Sequence, residues 1–108
     1  MVIKRPDGVK GSWFYCLVCG KAGRNALEMI ECDVYALGVA DGDVVVIEEK
    51  ARKKLIEEAK KLKAIELMPR SELAKNLGKT VSKKIMFHGK QCRVRFKLTL
   101  EDASHRLP

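Results

Sequence analysis

The chain has 108 residues and a mass of 12.1 kDa, the size of one domain and too small for two large independent cores. Hydrophobic residues make up 46%, which excludes the intrinsically disordered class. Twenty-two Lys and Arg against fourteen Asp and Glu leave a net charge of +8, so a polyanionic partner is expected, with nucleic acid ahead of a membrane surface.

In chain order, residues 1–10 are charged and lack the apolar stretch of a signal peptide. No apolar run approaches the roughly 18–20 residues that a membrane helix needs. A cytoplasmic protein is expected, and its four cysteines, Cys16, Cys19, Cys32 and Cys92, should be reduced or metal-bound rather than paired. A single Gln, two Asn and abundant Lys and Glu fit a thermophilic proteome.

Residues 12–18 (Ser-Trp-Phe-Tyr-Cys-Leu-Val) are aromatic and β-branched and predict a strand leading into a Cys-Gly turn. Residues 21–25 have loop composition. Residues 26–37 alternate imperfectly and predict extended chain. Asp41-Gly42-Asp43 signals a turn, and the valine run 44–47 behind it predicts a buried strand. From Glu49 to Lys63 the period becomes helical, with Ala51, Leu55, Ala59 and Leu62 on one face and Ile56 beside them. Glu49–Lys53 and Glu57–Lys61 are i,i+4 pairs in the favourable order.

Residues 64–68 read as a short strand closed by Pro69. Ser71 is placed to cap a short helix ending before Gly78. Residues 80–87 and 91–100 predict two strands of a hairpin turning at His88-Gly89-Lys90. The expected class is therefore α+β: a small mixed sheet with one long and one short helix, ordered β-α-β-α-β-β in the C-terminal half, behind an N-terminal β-rich segment.

That order is similar, in topology alone, to the Alba chromatin proteins and to the C-terminal domain of bacterial translation initiation factor three. The resemblance implies a nucleic-acid or ribosome binder. Separately, Tyr35-Ala36-Leu37-Gly38-Val39-Ala40-Asp41-Gly42-Asp43-Val44-Val45-Val46-Ile47 resembles a segment of the swapped-hairpin transition-state regulators and of some double-psi barrels. Those regulators are dimeric DNA binders, so this likeness implies a DNA-binding alternative.

Cys16-Leu17-Val18-Cys19-Gly20 is a C-x-x-C-G knuckle. Two thiolates at this spacing converge on one tetrahedral zinc, and the glycine lets the chain turn. One knuckle is half a site; the other half must come from Cys32, His88, Cys92 or His105. The favoured set is Cys16, Cys19 and Cys92 with either Cys32 or His88, a structural zinc that would pin the N-terminal strand to the hairpin. The alternatives are buried thiols acting as small hydrophobes and a redox dithiol, although no helix opens behind the knuckle as redox motifs require.

Charge divides the chain. Residues 1–49 hold five basic and eight acidic side chains, a balance of −3, and residues 50–108 hold seventeen and six, a balance of +11. From Lys79 to Lys97 there are seven cations and no acid, and Arg93, Arg95 and Lys97 alternate with Val94, Phe96 and Leu98. A period of two puts these cations on one sheet face, where like charges side by side cost stability unless a phosphate backbone faces them. Candidate contacts are Lys83, Lys84, Lys90, Arg93, Arg95 and Lys97, with Lys53 and Lys60 from the helix.

RNA, including the ribosome, is the first expected partner. Duplex DNA and an acidic protein surface are the alternatives. Trp13, Phe14 and Tyr15 offer either a stacking platform for bases or core. With no G-x-G-x-x-G, P-loop or nucleophile elbow, no enzyme is expected.

Overall fold

The computed structural model describes residues 1–104. The α+β class expected from the sequence holds. Among the described residues every strand pairing is antiparallel, so the strands form three small sheets rather than one mixed sheet. Two compact units are present, Met1–Glu58 and the residues from Ala59 onward. Their boundary falls inside the long helix. No helix among the described residues is long and apolar enough to cross a membrane.

In the first unit, β1 (Val2–Lys4) pairs with β5 (Val44–Val46), Ile3 opposite Val45. The pair is closed at both ends. Ile47 N–H donates to the Met1 carbonyl at 2.9 Å, and Arg5 N–H donates to the Asp43 carbonyl at 2.9 Å, with an Arg5–Asp43 ion pair at 2.6 Å. Ile3 is buried, but Val44 and Val46 are exposed. The expected buried strand is thus half of a two-stranded sheet with one open face, which an unbroken valine run cannot reveal.

The second sheet is β3-β2-β4, with β2 (Trp13–Cys16) between β3 (Ala22–Gly23) and β4 (Leu37–Ala40). The segment resembling the swapped-hairpin regulators is therefore split, since β4 joins β2 while β5 joins β1. Trp13 is fully buried and its Nε1–H donates to the Gly42 carbonyl at 2.6 Å. That makes it core rather than a stacking platform. Gly38 lies opposite Tyr15, whose ring occupies the space a Cβ would need.

Residues 26–37 are not extended. They contain two 3-10 turns, Ala26–Met29 and Val34–Ala36, each begun by a capping side chain. Asn25 Oδ1 accepts from Glu28 N–H and Asp33 Oδ1 accepts from Tyr35 N–H, both at 3.1 Å. Asn and Asp compete for the backbone in this way, and here that local bonding overrides the weak alternation. Met29 and Ala36 are buried, while Leu27 and Ile30 face solvent.

The long helix α1 is Glu49–Leu67. It absorbs the strand expected at 64–68, because Ala64, Ile65 and Met68 bury at helical spacing and nothing stops the helix before Pro69. The β-α-β-α-β-β order is lost with that strand, and so is the topological likeness it carried. The buried stripe is also displaced by one position: Arg52, Ile56, Ala59 and Lys63 are buried or half-buried, whereas Ala51, Leu55 and Leu62 are exposed. Of the expected i,i+4 partners, Glu49 instead pairs with Arg52 at 2.9 Å, and Lys61 with Asp102 at 3.0 Å.

In the second unit, α2 (Arg70–Asn76) begins at Pro69 rather than at Ser71. Then β6 (Thr80–Phe87) and β7 (Lys90–Lys97) form a hairpin, followed by α3 (Leu100–Ala103). Ile65, Met68, Leu73, Val81, Leu98 and Ala103 form the core, with Leu77 and Phe96 packed against it. A reciprocal cap between Thr99 and Asp102 starts α3. Burial alone would raise the Asp102 pKa, but the bonds from Thr99 and the Lys61 ammonium outweigh it and hold it below the usual carboxylate value.

Candidate metal centre and cationic sheet face

Cys16 ends β2 and is fully buried. The chain then folds back: Gly20 N–H donates to the Cys16 carbonyl at 2.9 Å, and Cys16 N–H donates to the Lys21 carbonyl at 2.9 Å. Gly20 has φ 76°, a left-handed conformation that strains any residue with a Cβ. The knuckle is thus a closed turn followed by β3 rather than a helix, which is not the setting of a redox dithiol.

From the facing side of the loop, Arg52 donates from Nε to the Leu17 carbonyl at 2.6 Å and from Nη2 to the Val18 carbonyl at 2.7 Å. Cys32 sits between the two 3-10 turns, its N–H donating to the Met29 carbonyl at 2.9 Å. Cys19 Sγ and Cys32 Sγ are 3.9 Å apart.

The sulfurs of Cys16, Cys19 and Cys32, all in the first unit, lie within 4.8 Å of one another. These donors fit zinc. With Zn–S near 2.3 Å, two thiolates on a tetrahedral ion stand about 3.8 Å apart, close to the observed sulfur separation and far beyond the roughly 2.05 Å of a disulfide. Cys92, expected as a ligand, lies half-buried on β7 opposite Ile85. His105 lies outside the described residues.

His88 has φ 55°, the one positive value on a non-glycine among the described residues, and Gly89 follows at 75°. Two left-handed residues in succession make a type I′ hairpin turn, where Asn-Gly is the usual choice. A histidine in the first position is stereochemically expensive.

Burial first, then the neighbouring Cys16 and Cys19 thiols, push the Cys32 thiol up to about 12. A bound dication reverses that balance, because a coordinating thiol loses its proton outright. Metal uptake therefore expels protons, and the apparent zinc affinity is expected to rise steeply between about pH 6 and about pH 8. Competition against a chromophoric chelator at several pH values measures it; a flat profile would contradict thiolate ligation.

The hairpin sorts the expected cationic residues by face. Val81, Lys83, Ile85 and Phe87 alternate with Thr80, Ser82, Lys84 and Met86, and the first set is buried or half-buried. On the outer face Lys84 stands opposite Arg93, Ser82 opposite Arg95, Thr80 opposite Lys97 and Met86 opposite Gln91. That face carries four exposed cations and no acid. Lys83 turns inward and forms an ion pair with Glu72, so it does not join the exposed group. Lys60 Nζ lies 5.6 Å from the centre of the Phe87 ring. Lys53 is exposed on α1, and Lys90 is exposed at the start of β7.

The residue that sequence reading missed is Arg52, whose loop partners lie 34 and 35 positions away. No protein-family model matches this chain, and no curated protein or solved structure matches it.

Proposed function

We propose that this chain is a small nucleic-acid-binding protein with one structural zinc, and with RNA as its first target. Cys16, Cys19, Cys32 and His88 would supply the four ligands. Four protein donors fill zinc's tetrahedral shell and leave no position for an activated water, so the metal's role would be structural. Thiolate ligation suits the reducing cytoplasm.

The observation that carries the nucleic-acid reading is the outer face of β6–β7. Lys84 and Arg93 directly opposite each other destabilise a bare sheet, and Arg95 and Lys97 extend the same charge along β7. A phosphate backbone relieves that repulsion and gains entropy from the counterions it releases. Ser82, Thr80 and Gln91 on the same face add neutral hydrogen-bonding groups for sugars and phosphates.

One observation favours duplex DNA as a second reading. The hairpin is a two-stranded sheet of its own, and the B-form major groove admits such a ribbon, whereas the deep, narrow A-form groove does not.

The test is a titration against single-stranded RNA, structured RNA and duplex DNA at two salt concentrations. Salt-sensitive preference for either RNA supports the first reading. Preference for duplex DNA replaces it with the second. Absence of binding to all three at low salt overturns both and turns attention to an acidic protein partner.

A further inference from the structure

Leu17 and Val18 are the two residues between the first pair of cysteines, and a knuckle works only if its backbone keeps one conformation. Their carbonyls accept from the Nε and Nη2 groups of the same guanidinium. The remaining edge of that group is fixed as well, since Nη1 donates to Glu49 Oε1 at 2.9 Å. The Arg52 side chain is only 18% exposed, whereas its neighbours Lys50, Lys53 and Lys54 are all exposed. Arginine is rarely held this dry without dedicated partners, and its planar fork matches two carbonyls in a way that an ammonium cannot. Three thiolates and a neutral imidazole around a dication also leave a net negative charge, and Arg52 puts a fixed cation on the loop that carries two of those thiolates.

We propose that Arg52 is a positioning residue for the metal centre. It clamps the Cys16–Cys19 loop in its ligating conformation and ties the first turns of α1 to metal occupancy. The inference rests on the zinc reading above. It removes Arg52 from the cations available to a phosphate backbone. Because linkage is reciprocal, metal binding in turn orders the segment that carries Lys50, Lys53 and Lys54.

The experiment titrates the full chain with Co(II), whose thiolate charge-transfer and d–d bands report the ligand set. Groups that support metal ligands from outside typically change affinity by about 10–100-fold. Arg52→Ala is expected to weaken Co(II) binding by that amount while leaving the saturated spectrum unchanged. Arg52→Lys, which restores the charge without the fork, should recover part of the loss, and Glu49→Gln should cost less than Arg52→Ala. Lys10→Ala, which removes an exposed cation elsewhere in the first unit, should bind as the unaltered chain does.

Should Arg52→Ala fail to fold even with metal, Arg52→Lys decides: weaker binding supports the clamp and unchanged affinity overturns it. Unchanged affinity in folded Arg52→Ala overturns the clamp but leaves the metal site standing. A missing thiolate band in the unaltered chain overturns the metal site and the clamp together.

Discussion

Cys16→Ser is expected to lower the melting temperature of the zinc-loaded protein by roughly 15 °C or more. Structural zinc supplies folding free energy outright in small domains. Here the first unit has few other resources: two small sheets, two 3-10 turns and a short set of buried side chains. Losing about 3–5 kcal/mol from a domain of this size shifts the midpoint by about that many degrees.

Because Cys16 is fully buried, part of the loss comes from placing a hydroxyl where no water reaches. Chelation separates the two contributions. Removing zinc from the unaltered protein should lower its melting temperature by most of the same amount and should barely affect Cys16→Ser. Cys92→Ser alters none of the proposed ligands and is expected to melt within a few degrees of the unaltered protein. Thermal melts with and without chelator check all three. A chelator-insensitive melt would mean that the cysteines act as buried thiols.

The second large effect is on binding. Replacing Arg93, Arg95 and Lys97 by Ala should flatten the dependence of log affinity on log salt by about two to three units, since each phosphate contact contributes about 0.7–0.9. Affinity at low salt should fall by about two orders of magnitude, uniformly across sequences, as expected for backbone contacts. Lys83→Ala is the internal contrast. Its ammonium is paired with Glu72 on the inner side of the hairpin, so the salt slope should stay unchanged. A full slope in the triple variant would show that the contact face lies elsewhere.

The sequence was most readable where one local rule dominated. The hairpin followed from alternation and a Gly-bearing turn, and the turn at Asp41-Gly42-Asp43 from its composition. The helix was legible in its start and not in its end. Residues 64–67 are apolar enough for a strand, but their burial at helical spacing keeps them in α1. Residues 26–37 failed in the opposite sense, because the caps from Asn25 and Asp33 are short-range bonds that hydropathy does not register.

At the metal centre the knuckle was legible because C-x-x-C carries its own geometry. The choice among Cys32, His88 and Cys92 was not, since it depends on which residues tertiary structure brings near the knuckle. Cys92 looked suitable by spacing from His88, yet β7 places it opposite Ile85. Arg52 and Lys83 show the same limit for charge. Composition counts both as surface cations, and only the structure reveals that one is bonded to a loop and the other to Glu72.

The most direct test is the number of zinc ions per chain, read by native mass spectrometry on protein refolded with zinc. One zinc is expected in the unaltered chain and in Cys92→Ser, and none in Cys16→Ser or Cys32→Ser. An unaltered chain that holds no zinc, or one that loses it with Cys92 and keeps it without Cys32, would contradict the centre described here.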